Sequence, residues 1–184
     1  MKFLQHFRTV CRHRALVRQG CFRIGLYRQG LTHDLSKFSP TEFLRGVHYY
    51  QGNRSPNAAE REEQGYSLSW MHHKGRNRHH YEYWTDLNPI SQRYEPVPMP
   101  RRYLAEMVMD RRAACMTYQG AAYRDASPLE YLEKSRERLL MHPETLRQLE
   151  YLLTMLRDCG EEKTFRYIRE SVLKGKPFPW EVSA

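Results

Sequence analysis

The chain has 184 residues, of which 40% are hydrophobic and 28% are charged. This length and this balance predict one soluble domain that is large enough to bury a core. The sequence has no apolar run near the roughly 20 residues that span a bilayer, which argues against a transmembrane class. The basic N-terminus lacks the apolar segment and cleavage site of a signal peptide. We therefore expect a cytoplasmic protein with no membrane partner.

The net charge is +9, from 30 lysines and arginines against 21 acidic residues. A basic surface attracts nucleotides, phosphorylated metabolites, nucleic acid or acidic lipid, although many small proteins are simply basic. The four cysteines are widely separated and form no Cys-x-x-Cys pair, which predicts reduced and mostly packed thiols rather than a disulfide framework or a zinc knuckle. They are Cys11, Cys21, Cys115 and Cys159.

The N-terminal segment predicts a helix over residues 2–19. Its buried face is indicated by four residues at spacings of four, three and four: His6, Val10, His13 and Val17. A histidine on such a face is usually a core residue, and His13 becomes a candidate ligand only if a metal cluster lies nearby. Glycines at positions 20, 25 and 30 then predict a turn or a short helix that leads to Leu31.

Residues 31–43 contain the adjacent pair His33 and Asp34. Imidazole and carboxylate groups both bind divalent transition metals. We expect one or two helical turns here, on which neighbouring side chains point about 100° apart and reach one ion only if it lies between them. Residues 39–42, Ser-Pro-Thr-Glu, predict a capping box at the start of the next helix.

Residues 51–64 are polar and predict a surface loop, either a plain one or a lid. Residues 66–84 contain four of the nine histidines, in two pairs that end one helix and open the next segment: His72, His73, His79 and His80. Histidines, arginines and aromatic residues alternate in this stretch. The pattern favours metal or phosphate chemistry, and the alternative is a basic surface on which nucleic-acid bases stack.

A turn at residues 86–89 and a proline-rich connector precede a helix that is predicted from Pro100 to Gln119. Asp110 shares a face of this helix with apolar residues. An unpaired carboxylate is costly to bury, so we expect a metal ion or an arginine as its partner.

The C-terminal third predicts structural helices and shows no chemistry of its own. We expect a capped helix over residues 127–140, a second from His142 that Gly160 ends, a third over 162–174, and a tail at 177–180 that packs back. No β-alternation is found. The chain therefore predicts an all-α, single-domain helical bundle over residues 1–184, with its core at about 2–158 and a C-terminal helix and tail at 162–184.

Three elements follow one another along the chain: His13, then His33-Asp34, then Asp110. This order resembles the HD-domain superfamily of metal-dependent phosphohydrolases, whose signature is His…His-Asp…Asp on a helical bundle, and Lys37 matches its variant His-Asp-x-x-Lys. Over residues 10–155 the chain also resembles an uncharacterised bacterial and phage-borne family, a domain of unknown function. The shared segments are His33 to Phe43, His72 to Trp84, Glu106 to Asp110, and Leu140 to Thr145.

The HD resemblance implies a first metal site made of His13, His33, Asp34 and Asp110. Some HD proteins hold a second ion with histidines between the His-Asp pair and the final Asp. Our choices for that ion are His73 and His80, with His72 and His79 as alternatives or as residues that support the ligands. Nitrogen and oxygen donors discriminate poorly among Fe, Mn, Zn, Co and Ni, so one or two ions of any of these are expected.

The resulting hypothesis is a phosphomonoesterase or phosphodiesterase in which a metal-activated water attacks a nucleotide or another phosphoester. Asp34 would be both ligand and proton acceptor. The cations that would neutralise the phosphoryl oxygens are Lys37, Lys74, Arg76 and Arg78. Residues that would stack a base, or pack in the core instead, are Tyr81, Tyr83 and Trp84. The alternatives are a non-catalytic basic module that binds nucleic acid or a protein, and a degenerate HD protein that binds a nucleotide without cleaving it.

Overall fold

The computed structural model describes residues 1–182. This part of the chain forms eight α-helices and one two-stranded antiparallel sheet, which confirms the predicted all-α helical domain. The small hairpin was not predicted from the sequence. The elements are α1 (Lys2–Arg23), α2 (Tyr27–Thr32), α3 (Pro40–His48), α4 (Pro56–Gln64), α5 (Leu68–Lys74), β1 (Thr85–Leu87), β2 (Tyr94–Pro96), α6 (Arg101–Gln119), α7 (Ser127–Ser135) and α8 (Pro143–Tyr167).

The hydrophobic core lies where α1, α6, α7 and α8 pack together. Each of these helices contributes fully or almost fully buried side chains, among them Val17, Leu104, Leu129 and Leu149. Burial of one such side chain stabilises the fold by about 1.5–3 kcal/mol. The tail returns to this core through Phe178, which is 1% exposed and stacks on Trp180. The predicted packing of the tail is therefore confirmed.

Helix α1 is longer than the sequence predicted, because Gly20 does not break it. A Cβ atom at Gly20 would lie 2.7 Å from the Sδ atom of Met109 in α6, so this glycine permits α1 and α6 to approach each other closely. The turn is made further along by Gly25, whose φ of 87° is accessible to glycine at little cost.

The prediction of a loop over residues 51–64 holds for residues 51–55 and is wrong beyond them, because Pro56–Gln64 form α4. The buried side of this helix carries Ala59 and Glu60 rather than a row of large apolar residues. The Glu60 carboxylate accepts hydrogen bonds from the hydroxyls of Ser67, at 2.5 Å, and Ser69. A polar residue whose hydrogen bonds are satisfied can be buried. The buried face of α4 therefore lacks the apolar periodicity by which a helix is recognised in a sequence.

The C-terminal helices begin and end differently from the prediction. Ser127 is the first residue of α7 rather than its cap, and α7 ends at Ser135 instead of near residue 140. Helix α8 starts as predicted, since Nδ1 of His142 accepts a hydrogen bond from the Glu144 amide at 3.2 Å. The predicted break at Gly160 is present as a kink with φ 75° and ψ 175°. The helix nevertheless resumes there and passes into a π-helical turn at Ile168–Val172.

None of the helices in residues 1–182 has the length and apolar character that a membrane crossing requires.

The contact between α1 and α3 gives a prediction about stability. A Cβ atom at Gly46 would lie 2.3 Å from Nε2 and 2.6 Å from Cε1 of the buried His6 ring. We expect Gly46→Ala to lower the free energy of unfolding by about 1–3 kcal/mol, because the ring has little room to move. Chemical denaturation measures this change.

The matched control is Gly75→Ala, whose Cβ atom would make only an ordinary contact, 3.4 Å from the carbonyl oxygen of Met71. Its backbone has φ −72°, which alanine adopts readily. We expect a change within about 0.5 kcal/mol. Equal destabilisation by the two substitutions would contradict the role of close packing at Gly46.

Candidate metal centre

Two four-residue clusters of histidine and carboxylate groups lie where α1, α5 and α6 meet the segments that follow α2 and α5, and a third group, His33, His79 and Glu106, shares a histidine with each of them. In each cluster the candidate ligand atoms lie within 4.8 Å of one another. The first cluster consists of His13, His33, Asp34 and Asp110. The second cluster consists of Asp34, His73, His79 and His80. Asp34 belongs to both and joins them.

The first cluster has the spacing of a ligand set. The Nε2 atom of His13 lies 3.0 Å from Oδ1 of Asp110 and 3.7 Å from Oδ2 of Asp34. The Nε2 atom of His33 lies 3.4 Å from each of the same two oxygens. Ligands at about 2.0–2.2 Å from a tetrahedral ion lie about 3.3–3.6 Å from one another. Of the two partners expected for Asp110, a metal ion or an arginine, the described residues provide no arginine; its ion-pair partners are the two histidines.

The second cluster faces the other oxygen of the same carboxylate. Oδ1 of Asp34 lies 3.3 Å from Nε2 of His73 and 3.4 Å from Nε2 of His79. His80 completes the cluster. The two oxygens of Asp34 thus face different clusters, which is the arrangement of a carboxylate that bridges two cations.

Seven buried nitrogen and oxygen atoms of these clusters have no hydrogen-bond partner within the described residues. An unsatisfied buried polar group costs about 1–3 kcal/mol, so a concentration of them needs an explanation. Two cations, one at each cluster, would accept the lone pairs of these atoms, and Oδ2 of Asp34 also pairs with Lys37. The seven atoms are Nε2 of His13, His33, His73, His79 and His80, and both carboxylate oxygens of Asp34.

Two buried glutamates fix the orientation of three histidine rings. Oε1 of Glu106 lies 2.9 Å from Nδ1 of His33 and 3.2 Å from Nδ1 of His79. Oε2 of Glu42 lies 2.7 Å from Nδ1 of His73. An ionised carboxylate accepts a hydrogen bond from the Nδ1–H group of each ring. The Nε2 atom then remains free to bind a metal, as in many metal sites that contain histidine.

The pKa values of these glutamates agree with that role. Burial would raise the pKa of Glu42 and of Glu106, but hydrogen bonds from the histidines outweigh it and lower both below the ordinary value. Burial lowers the pKa of His33 and of His73, yet the charge of Asp34 prevails and raises both. Binding of a cation at these rings would therefore displace protons.

The backbone at Asp34 is left-handed, with φ 52° and ψ 27°, so the prediction of a helical turn for His33 and Asp34 is wrong. Helix α2 ends at Thr32, and a short 3₁₀ helix over Leu35–Phe38 follows the pair. Aspartate is one of the few non-glycine residues that visit this region. The turn directs His33 towards the first cluster and places Asp34 between the two.

Arg14 of α1 supports this turn from outside. Its Nε atom donates a hydrogen bond to the carbonyl oxygen of His33 at 2.8 Å, and its Nη2 atom donates to that of Leu31 at 3.2 Å. The guanidinium group also lies over the ring of Phe38. Nothing in the sequence pattern predicts this role.

Lys37 is the one predicted phosphate-binding residue that the structure brings to the clusters. Its Nζ atom lies 3.0 Å from Oδ2 of Asp34, and its side chain is 32% exposed. Burial would lower the pKa of Lys37, but the charge of Asp34 raises it, so the ammonium group stays positive.

The other predicted cations do not reach the clusters, since within residues 1–182 the side chains of Lys74, Arg76 and Arg78 make no ion pair or hydrogen bond with a member of either cluster. Arg76 donates to the carbonyl oxygen of His72, and Arg78 donates to the Tyr103 hydroxyl. Of the aromatic residues proposed to stack a base, Tyr81 and Trp84 pack against the core. The third, Tyr83, lies beside Arg78.

Three of the four paired histidines belong to the second cluster. They are the two chosen from the sequence, His73 and His80, and the alternative His79. Nδ1 of His72 instead contacts Oε1 of Glu42 at 2.6 Å. Glu42 was predicted to complete a capping box, and Ser39 does accept a hydrogen bond from its amide at 3.4 Å. Its carboxylate, however, turns to the histidines.

Glu106 was not predicted to have a role, although the sequence carries a signal for it. It precedes Asp110 by four residues on α6, and residues four apart lie on one helical face. Because Glu106 shares a helical face with the candidate ligand Asp110, its carboxylate is placed to form hydrogen bonds with the histidines that surround Asp110.

The fold and these clusters define an all-helical protein that could hold metal ions between its helices. The chain belongs to the family described as "Family of unknown function (DUF5662)", whose profile matches residues 2–155 and so includes both clusters. Comparisons with curated proteins and with solved structures gave no match. Membership of a family of unknown function is confirmed, and the relation to HD domains stays a prediction.

The shared carboxylate predicts how metal content responds to substitution. We expect the untagged wild-type protein to bind about two divalent transition-metal ions per chain. Asp34→Ala should lose both, because this residue faces both clusters, whereas Asp110→Ala and His80→Ala should each lose about one. Mass spectrometry of metal content after gel filtration measures this.

The control is His48→Ala, an exposed histidine outside the clusters, which should keep the wild-type content. Circular dichroism verifies that each variant is folded. Loss of a single ion in Asp34→Ala, or a folded wild type that takes up no metal, would contradict the bridging arrangement.

Proposed function

We propose that this protein is a metal-dependent phosphohydrolase that acts on a nucleotide or another phosphoester. The observation that supports it most strongly is the position of Asp34 between two groups of buried histidines whose Nε2 atoms have no hydrogen-bond partner in the described chain. The order of His13, His33-Asp34 and Asp110 along the chain, which resembles that of HD-domain enzymes, adds to it.

The donor set suits divalent Fe, Mn, Zn, Co or Ni, because imidazole and carboxylate groups bind all of them. Metal ions bound at such ligands act as Lewis acids on the phosphoester and on the attacking water. The histidines would be held as neutral ligands by Glu42 and Glu106, whose contacts to Nδ1 fix the rings.

Exposure indicates from which side a substrate would approach. In the first cluster, the side chains of Asp110 and His13 are 15% and 9% exposed. In the second cluster, those of His73 and His79 are each 2% exposed, and His80 is the partly buried member. Burial alone therefore does not separate the two clusters, but Lys37, which is 32% exposed, lies at the edge of the first, 3.0 Å from Oδ2 of Asp34.

Lys37 would neutralise a phosphoryl oxygen at this edge, because it is positively charged, partly exposed and held 3.0 Å from Asp34. Both oxygens of Asp34 face histidines, so we assign Asp34 to the bridge between the two clusters rather than to proton transfer. Asp34 would therefore not act as the proton acceptor that the sequence predicts.

The proposal predicts a phosphatase or phosphodiesterase activity that depends on Lys37. The protein, loaded with each of the candidate metals, is assayed against p-nitrophenyl phosphate, its bis ester and a nucleotide panel. We expect Lys37→Met to lower kcat/KM by roughly 100-fold to 1,000-fold, which is typical of one lost electrostatic contact to the transition state. Its metal content should be unchanged.

Lys74→Met is the matched control, because it removes the same charge from a lysine that contacts neither cluster, and we expect less than a twofold change. Equal losses in the two variants would contradict the role of Lys37. Metal-loaded wild type that binds nucleotides without hydrolysis would identify the degenerate alternative. Failure to hydrolyse any of these esters with any of these metals would overturn the proposal.

A further inference from the structure

The positive charge of this chain is concentrated at its N-terminal end. Residues 1–33 contain one lysine, six arginines and no acidic residue, whereas the rest of the chain has 23 basic and 21 acidic residues. Seven of the nine net charges therefore belong to α1, α2 and the turn between them. Six of the seven basic residues there are arginines, which bind phosphate groups in a bidentate manner.

Four of these arginines are exposed and have no ion-pair or hydrogen-bond partner for their side chains within residues 1–182: Arg8, Arg12, Arg18 and Arg28. Many other exposed arginines are neutralised; Arg136, for example, pairs with Glu150 and Arg157 with Asp158. The four therefore form a surface whose positive charge the protein itself does not compensate.

Exposed aromatic rings lie near both ends of α1. Phe22 and Tyr27 are 38% and 63% exposed and meet edge to face, with ring centroids 5.3 Å apart. Phe3 and Phe7, near the start of α1, are 53% and 42% exposed. A helix of 22 residues is about 33 Å long, and Arg8, Arg12 and Arg18 lie along it between the two pairs of rings, whereas Arg28 follows Tyr27 in α2.

We propose that this surface binds single-stranded nucleic acid. The four unpaired arginines and the rings of Phe22 and Tyr27 constitute the basic strip: the guanidinium groups would contact phosphates, and the rings would stack on unpaired bases. The strip faces away from the buried side of α1, which carries His13. It is therefore separate from the two metal clusters, and the inference does not rest on the proposed hydrolase activity.

Two other partners fit this surface less well. A helix that lies in a membrane interface needs a continuous apolar face. The exposed apolar residues of α1 are divided instead by Arg8, Arg12 and Arg18, since Phe3, Leu4 and Phe7 lie before these arginines and Phe22 lies after them. A second copy of the chain would place one such cluster of positive charges against another, which is unfavourable.

The test is fluorescence anisotropy of a labelled oligothymidine of about 20 nucleotides with the full-length protein and no added metal. We expect salt-dependent binding, with a slope of log affinity against log salt near −3 if about four phosphates are contacted at about 0.7 each. The variant Arg8→Gln/Arg12→Gln/Arg18→Gln should bind at least tenfold more weakly, and its slope should become shallower by about 2.

The matched control is Arg136→Gln/Arg157→Gln/Arg169→Gln, which removes three exposed and ion-paired arginines and gives the same net charge. We expect less than a threefold loss of affinity. Tyr27→Ala should weaken binding about tenfold with little change in the salt slope, because it removes stacking and no charge. Thermal melting verifies that these surface variants are folded.

Three results would overturn the inference. One is the absence of oligonucleotide binding even at low salt. Another is an equal loss of affinity in the two triple variants, which would show a general effect of net charge. The third is tighter binding to phosphatidylserine vesicles than to the oligonucleotide, which would assign the strip to a lipid surface instead.

Discussion

The carboxylate of Asp34 is the group on which the arrangement of the surrounding helices depends. One of its oxygens faces His13 and His33, and the other faces His73 and His79. Side chains from α1, from α5 and from two connecting segments must converge on one buried carboxylate. A buried charge is costly without partners, so any element that moved away would leave Asp34 without the contacts that make its burial tolerable.

The same constraint explains the polar residues at the centre of a helical protein. Glu42 of α3 and Glu106 of α6 are each about 95% buried, and each holds histidine rings by their Nδ1 atoms. The helices therefore meet across a network of charged groups and not only across leucines. The apolar core formed with α7 and α8 lies beside this network and supplies the packing that keeps it in place.

The sequence predicted most of the residues in the two clusters, because the patterns that indicate them are local. The helical face of His13, the position of Asp110 on a helix and the doubled histidines are all set by spacing. The sequence did not predict the left-handed backbone of Asp34. An aspartate is also compatible with a helical turn at this position, so its residue type does not reveal the conformation. His73 and His80, the histidines chosen from the sequence, both lie in the second cluster, but the sequence did not predict that His79 joins them, because the turn after α5 decides its direction. Helix α4 escaped detection because Glu60, on its buried side, is satisfied by serines.

The residues of the first cluster are far apart along the chain: His13 and Asp110 are separated by 97 positions. A cation held by both would act as a reversible cross-link that closes a long loop, in the way a disulfide does. The entropy lost on closing a loop grows with its length, so such a cross-link would restrict the unfolded chain more than one between near neighbours. In a protein whose four cysteines are all free, metal ligation would be the means by which distant segments are tied together.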